Sequence, residues 1–294
     1  MRFAGSDFSW VKNPSEVANN RYTRYHKSHR LMQSTYNLWL VAISLLIATL
    51  ASYTALDLAD RISLLAYARR RQIWLAGGAL AMGAGIWSMH FIGMLSFSLS
   101  IPIGYDFRIT IYSFAIAVLV SWFALQTVTR KRLGIFRLFA GGVLMGLGIA
   151  SMHYVGMAAM LMSPAIHYDP VLFIASIAIA IAASTVALWS AYTLRTAERR
   201  HVTAKRIGTA LVMGVAIAGM HYTGMAAADF AVGSICGAAG GVRPEWLVTA
   251  VTLAAIVILA VTLIVFHLDA RAKFLDDSVA QLDDHVERIR GTTR

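Results

Sequence analysis

The stretch GIWSMHFIGM, Gly85–Met94, sets a histidine between two methionines inside an apolar run. The pattern returns as GIASMHYVGM at Gly148–Met157 and as AIAGMHYTGM at Ala216–Met225. One such histidine is readily explained by a hydrogen bond to a neighbour, and methionine commonly fills gaps between helices. Three copies of Met-His-aromatic-x-Gly-Met need more. From composition alone a single copy arises at roughly one histidine in several thousand. Shared ancestry of repeats explains the copying, but not the retention of a polar ring that is costly in lipid.

The surrounding chain says that the runs do lie in lipid. Of 294 residues, 58% are hydrophobic and 14% charged, against about 25% charged in soluble domains. Seven runs reach the length of about 20 residues that crosses a bilayer as a helix: 36–56, 73–97, 107–127, 137–163, 171–194, 207–231 and 246–268. The expected fold is all-α and polytopic, with seven transmembrane helices. The net charge of +11 does not point to nucleic acid, because the cations sit in short clusters between apolar runs. Arg61, Arg69, Arg70 and Arg71 follow the first run; Arg130, Lys131, Arg132 and Arg137 the third; Arg195, Arg199, Arg200, Lys205 and Arg206 the fifth. The positive-inside rule then puts the N-terminus outside and the C-terminus in the cytoplasm. The basic segment 1–35 opposes that orientation. The three loops agree with one another and outweigh it, and RYTRYHKSHR at 21–30 suits a headgroup surface. The single cysteine, Cys236, has no intrachain partner.

In this topology the three motif runs point the same way, with their histidines at a similar depth in the outer half of the bilayer. The chain reads as three parallel two-helix repeats plus a seventh helix. His90, His153 and His221 each share a helix face with the methionine four residues on, Met94, Met157 and Met225. Met89, Met152 and Met220 stand at the edge of that face. Gly83, Gly146 and Gly214, seven residues before each histidine, allow the close helix approach that small residues give in lipid. The histidines can therefore meet in a common interior.

Imidazole and thioether together, without carboxylate or thiolate, suit copper, above all Cu(I). Haem iron with His/Met or His/His ligation is a rival. Zinc on three histidines with Asp229 as base is another, although it leaves the methionines idle. A copper transporter or channel is the alternative function. His167 and Asp169 read as a solvated loop. Segment 269–294 carries Leu275, Val279, Leu282, Val286 and Ile289 in heptad spacing, as a cytoplasmic helix suited to a parallel homodimer.

The repeats SMHFIGM, SMHYVGM and GMHYTGM on alternate runs closely resemble the MHYT sensor domain of bacterial membrane proteins, over residues 36–268; Phe91 departs from the motif tyrosine. The resemblance implies an inner-membrane input domain that binds copper and senses oxygen, carbon monoxide or nitric oxide. It also implies cytoplasmic output domains that make or degrade cyclic di-GMP; none lies within these residues, and the chain itself is not expected to be an enzyme.

Overall fold

The computed structural model describes residues 31–64, 68–130, 133–195, 202–238 and 246–258, with a few isolated helical positions up to 271. The apolar runs become α1 (Leu38–Leu64), α2 (Ala68–Ser96), α3 (Phe107–Val128), α4 (Ile135–Ala158), α5 (Pro170–Arg195) and α6 (Val202–Ala226). Each holds a stretch long and apolar enough to cross a membrane. The start of the seventh expected span is a shorter apolar helix, α7 (Trp246–Ile258). The fold is all-α and polytopic. The heptad positions Leu275, Val279, Leu282, Val286 and Ile289, and the basic residues 1–30, lie outside the described residues.

The six long helices close a ring in chain order: each packs on its sequence neighbours, and α6 returns to α1. In lipid, hydrocarbon does not drive helices together, so close backbone approach and interhelical hydrogen bonds must do so. The glycines supply the approach. Gly83 of α2 lies against the backbone of Val118 in α3, Gly146 of α4 against Ile181 in α5, and Gly214 of α6 against Thr49 in α1. A Cβ at Gly83 or Gly146 would run into that backbone, and one at Gly214 into the Thr49 hydroxyl.

Two expected spans end early, α4 at Ala158 rather than 163 and α6 at Ala226 rather than 231. The residues beyond stay apolar because neighbouring loops bury them: Met160 and Phe230 are in the core. Their backbone groups find partners in short ladders rather than in helix. β1 (Thr35–Tyr36) pairs with β2 (Phe97–Ser98), β3 (Met162–Ser163) with β6 (Ile235–Cys236), and β4 (His167–Tyr168) with β5 (Ala228–Asp229), all antiparallel.

The same end of the bundle carries a three-fold set of caps. Asn37, Asp106 and Asp169 precede α1, α3 and α5, and their side chains accept from backbone N–H groups of the first turn at 2.9–3.4 Å. Their own N–H groups donate to carbonyls at the end of the partner hairpin helix or one residue past it: Ser96, Ala159 and Ala227, at 2.8, 2.7 and 2.8 Å. Asp169, read from sequence as a solvated loop residue, is one of these caps.

The opposite end is tied by charge. Asp57 of α1, 1% exposed, accepts from Arg61 on its own helix at 2.5 Å and from buried Arg206 of α6 at 2.6 Å. Arg206 also reaches the more exposed Asp60 at 3.2 Å. Removing one member of a buried pair strands the other, at a cost of about 3–5 kcal/mol. Asp57→Ala should therefore lower the thermal midpoint of the detergent-solubilised protein far more than Asp60→Ala, whose partially exposed contact is worth about 0–1 kcal/mol. Equal shifts would refute a closure of the ring through Asp57.

Candidate metal centre

α2, α4 and α6 bring their motif histidines to one point. The Nδ1 atoms of His90 and His221 are 3.1 Å apart, those of His153 and His90 3.2 Å, and those of His221 and His153 3.3 Å. All three rings are fully buried and meet edge to face, with centroids 4.9–5.1 Å apart. Among the described residues this is the cluster of ligand-type side chains able to hold a metal ion.

Three imidazole nitrogens at these distances cannot satisfy one another. A neutral Nδ1 carries either a proton or an in-plane lone pair, so in every choice of tautomers at least one pair faces like to like. A cation between three lone pairs removes the conflict. An ion centred among nitrogens about 3.2 Å apart would lie roughly 1.9 Å from each, close to the usual metal–imidazole length of about 2.0–2.1 Å. The donor set thus fits a small metal ion. Three nitrogens converging on one point do not offer the opposed pair that His/His ligation of a haem iron would need.

Each Nε2 is buried without a hydrogen-bond partner and lies against the motif glycine of the next repeat. His90 abuts Gly156, His153 abuts Gly224, and His221 abuts Gly93. The glycine of Met-His-aromatic-x-Gly-Met is therefore the seat of another repeat's imidazole, and a Cβ would overlap that ring. The contacts run in one cyclic direction, so each motif completes its neighbour's. All six motif methionines are in the core: Met89, Met94, Met152, Met157, Met220 and Met225 are at most 2% exposed. Met94, Met157 and Met225 form a layer one helical turn beyond the histidines on the same face.

The motif aromatic works outward, to the neighbouring odd helix. Tyr154 Oη lies 2.6 Å from Ser176 Oγ of α5, and Tyr222 Oη 2.9 Å from Ser44 Oγ of α1. In the first repeat Phe91 has no hydroxyl. There Trp87, where the other repeats have Ala150 and Ala218, donates its indole N–H to Ser113 of α3 at 3.2 Å. One ring replaces the bond that another lost. Above the aromatics lie Tyr36, Tyr105 and Tyr168, edge to face on Tyr222, Phe91 and Tyr154 at 5.9, 5.7 and 5.2 Å. Burial, with a smaller push from Tyr154, raises the Tyr168 hydroxyl to about 12. Burial first, then Cys236, raises that of Tyr105. These hydroxyls are neutral at physiological pH.

Other sequence candidates fall elsewhere. Asp229 pairs with His167 in the β4–β5 ladder and is not part of the histidine cluster, which removes the base from a zinc-hydrolase reading. Cys236 is free and buried, donating to the Met160 carbonyl at 2.8 Å. The Tyr-Asx pairs and their serines were missed, although YN, YD and YD stand before each odd run and a serine follows each Asx by seven residues.

The bundle of three repeats around a buried tri-histidine cluster is that of a membrane signalling domain, on the strength of its sequence relatives. The model of the MHYT family, "Bacterial signalling protein N terminal repeat", matches residues 83–141, 146–204 and 214–275, and the chain belongs to this family. It is 55% identical over 242 residues to the bifunctional diguanylate cyclase/cyclic di-GMP phosphodiesterase MucR of Pseudomonas aeruginosa. It is 43% identical over 197 residues to the signaling protein YkoW of Bacillus subtilis, and 40% over 198 residues to the cyclic di-GMP phosphodiesterase NbdA of P. aeruginosa. These matches cover 82%, 67% and 67% of this chain but 35%, 24% and 25% of the relatives. The chain thus spans about a quarter to a third of the length of these relatives. No solved structure matches.

The glycine seat makes a direct prediction. Gly156→Ala drives a Cβ into the His90 ring and should cost about 1–3 kcal/mol as overpacking. Gly219→Ala meets nothing within 4 Å on a motif helix, and should be neutral or stabilise by about 0.5–1 kcal/mol. Thermal unfolding of the two variants side by side checks this.

Proposed function

We propose that the chain is the membrane-embedded input of a cyclic di-GMP signalling system, and that its three histidines hold a copper ion. The observation that carries the reading is the triangle of Nδ1 atoms 3.1–3.3 Å apart in a fully buried core. His90, His153 and His221 are the principal ligands; Met94, Met157 and Met225 are the thioether partners, and Met89, Met152 and Met220 stand in reserve. Neutral nitrogen and sulfur without a carboxylate favour copper over hard cations, and Cu(I) in particular. When bound, the ion supplies a redox-active centre able to take a diatomic gas such as oxygen, carbon monoxide or nitric oxide.

The residues convert that chemistry into position. Each histidine belongs to one helix and rests on the glycine of the next, so a change in histidine spacing shifts α2, α4 and α6 together. Tyr154, Tyr222 and the Trp87 indole pass the shift to α5, α1 and α3. A packed core of this kind responds by switching between arrangements rather than by gradual deformation. We place the motif end outside the inner membrane and the charge-tied end in the cytoplasm. The seventh span then continues to a parallel homodimer seam through Leu275, Val279, Leu282, Val286 and Ile289, and the output follows it. Full burial of the histidines favours a retained ion over the exchangeable one that a copper transporter or channel needs.

Elemental analysis with an optical spectrum of the purified protein tests the centre. Copper should be present, and His90→Ala, His153→Ala or His221→Ala should each remove most of it from a folded protein. Undiminished metal in the triple variant overturns the assignment. Orientation is tested separately: a cysteine introduced at Arg199 in a Cys236→Ser background should be labelled from the cytoplasmic side only. Labelling from outside reverses the topology.

A further inference from the structure

The bundle axis carries a second trio of soft donors below the histidines. Met82, Met145 and Met213 stand eight residues before His90, His153 and His221. The positions four residues before the histidines are Ile86, Ile149 and Ile217. On helices, steps of four stay on one face, so histidine, isoleucine and methionine form successive layers along the axis. With 1.5 Å per residue the methionine layer lies about 12 Å from the histidines.

Two cavities of about 30 Å³ each lie along this axis, and Met82, Met145 and Met213 line both. Only Ala55 and Ala187 share that position with them. The three thioethers thus form the waist between two voids. Methionine used as filler would close such space; here three equivalent methionines leave room beside them, and a cavity of this size holds a small guest. The Ser184 hydroxyl, 2% exposed and on the wall of one cavity, has no hydrogen-bond partner. No anionic side chain lines either cavity. The neighbouring helix positions differ freely between repeats: Ala81, Leu144 and Val212 before the methionine, Ala84, Leu147 and Val215 two residues after it.

We propose that Met82, Met145 and Met213 form a second metal site, an all-thioether site for a soft monovalent cation, Cu(I) or Ag(I). Thioethers select such ions over hard cations, and the absence of anionic ligands favours a single positive charge. The isoleucine layer lies between these methionines and the histidines, and of the motif residues Met220 reaches the cavity wall.

The test uses the full chain in lipid nanodiscs, titrated with Ag(I), which stays in one oxidation state. Met82→Leu/Met145→Leu/Met213→Leu keeps side-chain volume and should bind one equivalent fewer than the unmodified chain, with a loss of sulfur neighbours in the silver absorption fine structure. His90→Ala/His153→Ala/His221→Ala should keep that equivalent, which separates this site from the histidine centre. Each single Met→Leu change should weaken the same equivalent, whereas Met160→Leu, buried but off both cavities, should not. Unchanged stoichiometry in the triple leucine variant, or single variants that bind like Met160→Leu, overturns the proposal.

Discussion

The meeting of three imidazole nitrogens on one axis sets the spacing of the helices that carry them. Nitrogens 3.1–3.3 Å apart require α2, α4 and α6 to come close at one level, and close approach requires that something give way. What gives way is side chain: Gly93, Gly156 and Gly224 receive the rings, and Gly83, Gly146 and Gly214 let the outer helices in. The motif is thus a joint made by three parts, none of which functions within its own repeat. Its histidine seats on the next glycine, and its aromatic, or Trp87 in the first repeat, bonds to the next odd helix.

This mutual dependence explains how the repeats diverge. Where Phe91 abandons the tyrosine hydroxyl, Trp87 brings an indole N–H to the same serine position, and its ring packs on Phe91 at 4.9 Å. An interhelical hydrogen bond in a membrane protein is worth only about 0.6 kcal/mol on average. What the substitution preserves is chiefly a cross-helix donor to Ser113, whose own hydroxyl donates to the Thr110 carbonyl, together with a filled volume where the other repeats have alanine and tyrosine.

Most of the architecture was legible in the sequence, because hydrophobic length answers directly to the bilayer. The convergence of His90, His153 and His221 was legible too, since three equal motifs on parallel helices have one way to share an interior. The ends were not. Residues 159–163 and 227–231 are as apolar as a span, yet the burial that makes them so comes from loops distant in sequence. Met82, Met145 and Met213 were overlooked for another reason: a methionine in an apolar run carries no local signal, and only the cavities they share set them apart. Asp57 lay just beyond its expected span, and its meaning depends on Arg206, distant in sequence on the helix that closes the ring.

The three-fold pattern has one deliberate flaw. α7 runs beside α2, with Trp246 against Phe107 of α3 at 5.0 Å and Ile258 close to Gly85. The apolar stretch of α2 is 89% buried, against 39% for those of α4 and α6. Equal displacements starting at the axis therefore meet unequal resistance: two of the inner helices press on fluid lipid, and the third presses on protein. A symmetric event in the core leaves the bundle with a direction, like a chuck with one jaw geared to a shaft.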